Sequence, residues 1–332
     1  MSEDSTTDAL RDLIDTHNDL NASVIDELDA EPSPLEFMRY VARNTPLVIR
    51  GGALSWKASK KWDADYLRSA LSGQTVNVAV TPEGNADAPT FSQGHNETVI
   101  SKPCEEDQLF DDFLTYLIKQ TSDPTAPDSR EVRYAQTQND NFRNEYISLF
   151  SDAQKDIPFA RIALEKPPEA VNLWVGNSQS TTCLHRDPME NIYVQIIGQK
   201  HFVLLPPLAH ACVNEAILSP ATYVRQDSGE LKLVLDEGAE GVPLATWDPD
   251  SPTRNTTSLS HLARPMRVTL SPGDMLYLPA LWYHKVKQSS GHEGFVVAIN
   301  YWYDMDFNGP FYPTAAFIRN IGLKNKSGTT VT

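Results

Sequence analysis

The chain has 332 residues, 40% of them apolar, enough for one large domain or two modest ones around a sizeable core. Its 28 basic residues stand against 44 acidic ones, a formal charge of -16 with no basic block or stripe, which argues against nucleic acid as a direct ligand and favours a basic partner surface. Cys104, Cys183 and Cys212 are too few and too scattered for a disulfide framework or a Cys-rich zinc site, and fit a reducing compartment.

The first residues, MSEDSTTDALRDLID, are acidic where a secretory or mitochondrial signal is basic, and no apolar run approaches the ~18 residues needed to cross a bilayer. A soluble cytoplasmic protein, extending to the nucleus, is expected, with no membrane partner. The sequons at Asn21, Asn96, Asn255 and Asn325 then read as chance matches.

In chain order, DALRDLIDTHNDL places Leu10, Leu13, Ile14 and His17 at helical spacing over residues 8 to 20. DAEPSP ends that helix. Ser33 is placed to cap a second one, with Pro34 in its first turn and LEFMRYVAR as its body. TPLVIRGG reads as a short strand closed by two glycines, and VNVAVTPEG as an alternating strand before a turn.

From about Arg133 onward, RYAQTQ, AVNLWVG, NIYVQIIG, KHFVLLPP, MRVTL, DMLYLP, HKVKQ and GFVVAINYWY are short β-type runs separated by Pro and Gly. Many short strands at this spacing predict a barrel or sandwich of the jelly-roll or cupin type. A polar segment between Ser219 and Arg264, with LKLVL as its one strand-like patch, reads as a long loop insertion. FYPTAAFIRNIG reads as a short amphipathic helix, with dimerisation and packing on its own domain left as alternatives.

The chemistry-bearing feature is STTCLHRDP. His185 and Asp187 are separated by one residue, so in extended backbone both side chains point to one face, as two ligands of one ion require. Cys183 is expected on the face opposite Thr182, with no assigned chemistry, and Leu184 is expected to join the core. Alone, His-x-Asp is more often a polar turn than a site.

A third ligand must come from a distant strand. His17 falls on the first helix, His95 in a Gly/Asn loop, His210 and His261 in the polar insertion region, and His292 in a turn. His201 neighbours Lys200 and faces away from it. His284 remains, in PGDMLYLPALWYHKV, where a tight turn and a buried strand form a rigid hairpin. Two histidines and a carboxylate with open positions make the facial triad of non-haem Fe(II) oxygenases.

Lys200 stands fifteen residues after His185, on the second strand of a hairpin NIYVQII, Gly198-Gln199, KHFVLL. It shares a face with Phe202 and Leu204, and a buried lysine without a counter-charge argues for an anionic ligand. A lysine that simply reaches solvent from the strand start is the bland alternative.

With these residues in place, PSPLEFMRYVARNTPLVIRG, VNVAVTPEGNADA, LHRDPMENIYVQIIGQKHFVLLPP, GDMLYLPALWYHKVKQS and INYWYDM resemble the jumonji-C oxygenases of the cupin superfamily, and among them the protein lysyl hydroxylases. The resemblance implies a mainly β fold with α additions: an N-terminal α/β extension over 1–130, a double-stranded β-helix over 131–305 interrupted at about 219–264, and a C-terminal helix and tail over 306–332.

It implies iron on His185, Asp187 and His284, the 2-oxoglutarate carboxylate on Lys200 and Thr182, and cosubstrate or supporting roles for Tyr134, Asn191 and Asn300. Trp302 would wall the pocket. Fe(II), 2-oxoglutarate and O2 would be the cofactors and cosubstrates. The reaction would be C3 hydroxylation of a lysine in a GTP-binding protein of the developmentally regulated class. ARNTPL, at 42–47, lacks the cysteines that link some relatives, so a disulfide-bonded homodimer is not expected. N-methyl-lysine demethylation and a non-catalytic, partner-binding cupin-like barrel remain the competing readings.

Overall fold

The computed structural model describes residues 3–123, 125 and 131–327. Two sheets face each other. The larger runs in the order Asp26–Leu28, Leu47–Ile49, Met275–Leu278, Met189–Ile197, Val296–Asp304, Ala170–Gly176. The smaller runs Met266–Leu270, Gln199–Leu205, Tyr283–Ser289, Thr181–His185. This is the mainly β jelly-roll core with added helices that the strand pattern implied. No helix among the described residues is long and apolar enough to cross a membrane.

The large sheet is buried on both faces because its strands alternate between two cores. Ile192, Val194, Val297 and Ile299 face an outer core filled by Phe37, Phe110, Phe113 and Phe159 from the flanking helices. Tyr193, Leu276 and Ala298 face inward, against Phe202, Leu204 and Leu270 of the small sheet. A strand with two dry faces is apolar at nearly every position, which is why these runs read as continuous rather than alternating.

Two expected hairpins are absent. Met189–Ile197 and Gln199–Leu205 do not pair with each other: the first pairs with Met275–Leu278 and Val296–Asp304, the second with Met266–Leu270 and Tyr283–Ser289. Gly198, at φ +70°, turns the chain from one sheet into the other, and a Cβ there would meet the Ser289 carbonyl at 2.8 Å. Met275–Leu278 and Tyr283–Ser289 are split between the sheets in the same way. Locally the sequences look like hairpins; interlocking the two sheets is what pulls each pair apart.

The insertion is more ordered than a long loop. Pro220–Arg225 pairs with Leu231–Leu235 and, in parallel, with Glu97–Lys102, and Val242–Ala245 pairs with Glu215–Leu218. These strands alternate between buried and exposed positions only weakly, so their partners lie beyond any local pattern. Val132–Tyr134 pairs with Thr75–Thr81, placing Tyr134 opposite Ala79 and beside the large sheet.

Ser33 caps the second helix through Oγ, which accepts from Glu36 N at 3.2 Å, with Pro34 inside the first turn as expected. The first helix, Glu3–Leu20, begins earlier than the apolar spacing indicated, and packs Leu10 and Ile14 with Ile318 of the helix Phe311–Ser327. That C-terminal helix therefore covers its own domain. The expected tail at 328–332 lies outside the described residues.

The crossing at Gly198 yields a stability prediction. Gly198→Ala forces a side chain into left-handed backbone and against a carbonyl, and should lower the unfolding free energy by about 1–3 kcal/mol. Urea denaturation should show a lower midpoint with an unchanged slope.

Candidate metal centre and cavity

His185 closes the strand Thr181–His185 and pairs directly with His284 on Tyr283–Ser289, with a register irregularity just beyond them. The two rings lie 4.1 Å apart, centroid to centroid. Asp187 follows two residues on. Its Oδ2 lies 3.7 Å from His185 Nε2 and 3.6 Å from His284 Nε2. The three potential ligand atoms all fall within 4.8 Å of one another, and among the described residues no other cluster of three such side chains does so.

The tautomers follow from the backbone. His185 Nδ1 sits 2.8 Å from the Cys183 carbonyl and His284 Nδ1 3.1 Å from the Trp282 carbonyl. A carbonyl can only accept, so each Nδ1 carries the proton and each Nε2 lone pair faces Asp187. Burial pushes the His284 ring down to about 4, keeping it neutral near pH 7. Two imidazole lone pairs and a carboxylate converging from one side suit a divalent ion with open positions toward the cavity.

The approach to His284 is held from behind. Leu281 N donates to the Asp187 carbonyl at 2.8 Å, joining the two ligand segments through their backbones. Leu281 itself sits at φ +66°, a strained setting for a leucine. Glu190 accepts from Ala280 N at 3.1 Å and from Tyr277 Oη at 2.7 Å. Asn44 donates to the Ala280 carbonyl and accepts from Trp282 Nε1. Glu190 and Asn44 were not singled out from sequence; an acid beside a strand and an Asn after a helix carry no local mark of this role.

A cavity of about 210 Å³ opens beside the three residues. Thr182, Tyr134, Asn191, Asn300, Lys200 and Trp302 all line it, so every residue expected at the site is brought to one space. Lys200 is 2% exposed, its Nζ donating to Tyr134 Oη at 2.8 Å. The Nζ also lies 5.3 Å from the Tyr134 and Tyr193 ring centres and 5.9 Å from that of Trp174. No carboxylate among the described residues reaches ion-pair distance of it, and burial alone lowers the ammonium to about 7. Aromatic faces soften this cost without removing it.

Asn300 donates to Asn191 Oδ1 at 3.2 Å and accepts from Trp174 Nε1 at 2.8 Å, fixing both amides across neighbouring strands. Trp302 turns an Nε1 without a hydrogen-bond partner among the described residues. Cys183 is not turned away as expected. It lies on the cavity wall with Thr182, because it stands two residues before His185 and so shares that ligand's side of the strand, and its Sγ donates to the Asp87 carbonyl at 3.2 Å. Burial raises that thiol to about 12, so it is not a thiolate. Leu184 is core, packed with Leu205 and Tyr283.

Among the other histidines, His201 points outward to Thr269 and Ser289, away from Lys200. His210 is not in a polar loop: it is 3% exposed, on the turn Pro207–Cys212, against Tyr283 Oη and Glu215. Asp87, Gln136, Trp174 and Tyr193 line the cavity and were not anticipated. For Asp87 the signal was present in VNVAVTPEGNADA, but a polar residue after a turn looks like any solvated loop.

The family model for a cupin-like domain matches residues 32–309. Lysine-specific demethylase JMJ32 of Arabidopsis thaliana is 36% identical over 313 residues, covering 91% of this chain and 88% of that protein. Bifunctional peptidase and (3S)-lysyl hydroxylase JMJD7 of Homo sapiens is 36% identical over 282 residues, covering 85% and 84%. JmjC domain-containing protein E of Dictyostelium discoideum is 32% identical over 296 residues, covering 83% of each. With the two facing sheets and the converging His-Asp-His cluster, these matches place the chain in the cupin-like, jumonji-C family of oxygenases.

Proposed function

We propose that the protein is an Fe(II)- and 2-oxoglutarate-dependent hydroxylase acting on C3 of a lysine side chain in a protein, with a GTP-binding protein of the developmentally regulated class as substrate. The observation that carries the oxygenase reading is the pairing, inside one cavity, of three convergent ligand side chains with a buried ammonium that lacks a counter-anion. His185, Asp187 and His284 would hold the iron, and Lys200 with Thr182 and Tyr134 would hold the far carboxylate of 2-oxoglutarate. Bound iron would supply the oxidation of an unactivated C–H bond by O2, coupled to conversion of 2-oxoglutarate to succinate and CO2.

The chain's own residues do the rest. The fixed tautomers aim the lone pairs, the Asn191–Asn300 pair and the aromatic ring of Tyr134, Trp174 and Tyr193 shape a dry floor, and Glu190 and Asn44 hold the spacing of the ligand segments. Support for lysine as the oxidised side chain comes from two relatives of equal identity whose names both specify it. The same pair keeps a second reading alive, N-methyl-lysine demethylation, because one of them is named a demethylase.

Mass spectrometry separates the two. Candidate GTP-binding proteins incubated with the protein, Fe(II) and 2-oxoglutarate should gain one oxygen on an unmodified lysine. Formaldehyde release from methylated lysine, with no added oxygen on the unmodified residue, identifies a demethylase instead.

Asp187→Ala should lose iron and turnover together while remaining folded, as read by metal content and succinate formation. Substrate-dependent succinate from that variant rejects the ligand assignment.

The lowered Lys200 value gives a pH prediction. The dicarboxylate binds the ammonium form, so above pH 7 binding must take up a proton, and apparent affinity should fall by up to about tenfold per pH unit. Calorimetry at pH 8 in two buffers of different ionisation enthalpy should reveal uptake approaching one proton, absent in Lys200→Met.

A further inference from the structure

We propose that Asp87 receives the ammonium group of the side chain that enters the cavity, so that the site selects a cationic substrate through one carboxylate; this rests on the lysine reading above. Apart from the ligand cluster, the cavity wall carries two charged side chains among the described residues, Lys200 and Asp87. Lys200 suits an anion. Asp87 is the carboxylate left over once Asp187 is turned to the two imidazoles.

Its surroundings do not satisfy it. The Asp87 carboxylate accepts from Gln136 Nε2 at 3.3 Å, and no lysine or arginine among the described residues lies within ion-pair distance. Lys102, a neighbouring cation, is bridged to Asp236. Partial burial raises the carboxyl above its ordinary value. A desolvated carboxylate is costly unless a cation meets it, and a ligand can bring that cation.

The backbone beneath it, in contrast, is fixed from several sides. Asp87 N donates to the Ser101 carbonyl at 2.8 Å, and its own carbonyl accepts from Cys183 Sγ. Three residues earlier, the Gly84 carbonyl accepts from Thr181 N at 2.8 Å, and a Cβ on Gly84 would lie 2.2 Å from the Gln179 carbonyl. The loop is thus pressed onto the strand that ends in His185, as only glycine allows. Asp87 is held at φ +54°, a strained conformation of the kind retained where a side chain must point one way.

The position also lies on a path. Asp87, Gln136 and Gln138 line both the inner cavity and an adjoining outer cleft that includes Glu105 and Thr222. Asp87 stands where the two spaces meet, so a cationic side chain lying across them can set its terminal ammonium on this carboxylate.

The test uses the full chain loaded with Fe(II) and 2-oxoglutarate, with O2 excluded, and two probes, Nα-acetyl-lysine amide and Nα-acetyl-norleucine amide. Saturation-transfer NMR should show the wild-type protein preferring the lysine probe by about tenfold or more. Asp87→Asn keeps the left-handed backbone and the Gln136 contact, and should abolish that preference while leaving 2-oxoglutarate affinity unchanged. Asp87→Glu should restore part of it.

An undiminished preference in Asp87→Asn, or no preference in the wild-type protein, overturns the assignment. A wild-type protein that prefers lysine, loses the preference in Asp87→Asn, and yet adds no oxygen to any lysine supports the receptor and removes the hydroxylase reading.

Discussion

The antiparallel pairing of Thr181–His185 with Tyr283–Ser289 is the contact on which the site depends. It sets His185 directly opposite His284 although a hundred residues of chain separate them, and it does so through backbone hydrogen bonds. Each imidazole then donates to a carbonyl two residues upstream, and a further backbone bond ties Leu281 to Asp187. The cluster is therefore organised first by main chain, with the Glu190 and Asn44 side chains bracing the turn before His284.

That arrangement has an electrostatic counterpart. The cavity combines two rings whose Nε2 lone pairs point to Asp187, a lysine enclosed by Tyr134, Tyr193 and Trp174, and a carboxylate without a cation. In water each would be unremarkable. Where the surroundings are dry, each missing partner is a standing cost, and the cost is what makes a matching ligand bind. The free protein is accordingly less comfortable than its loaded state.

The core of this site was legible because its residues break the rules of their surroundings. Lys200 leads into the apolar run Phe202–Leu205 on the same face as Phe202 and Leu204, and His185-x-Asp187 spaces two ligand types so that extended backbone turns them the same way. What escaped was set by distance. The Gly198 turn carries the same residues whether the chain folds back on its own sheet or crosses to the other, and only the interlocking of the two sheets decides. Pro220–Arg225 finds a parallel partner more than a hundred residues away, and Asn44 and Glu190 act through backbone groups of a distant turn.

The parallel pairing of Pro220–Arg225 with Glu97–Lys102 joins the insertion to the N-terminal third outside the two interlocked sheets. The His-Asp-His cluster and the Lys200 floor lie on the interlocked sheets, where altering one strand disturbs its neighbours. The outer cleft is bounded by Thr222 from the insertion and by Lys102 and Glu105 from the N-terminal third, joined to each other at the periphery. Sequence drift along that seam reshapes the outer cleft while leaving every residue of the His-Asp-His cluster in place.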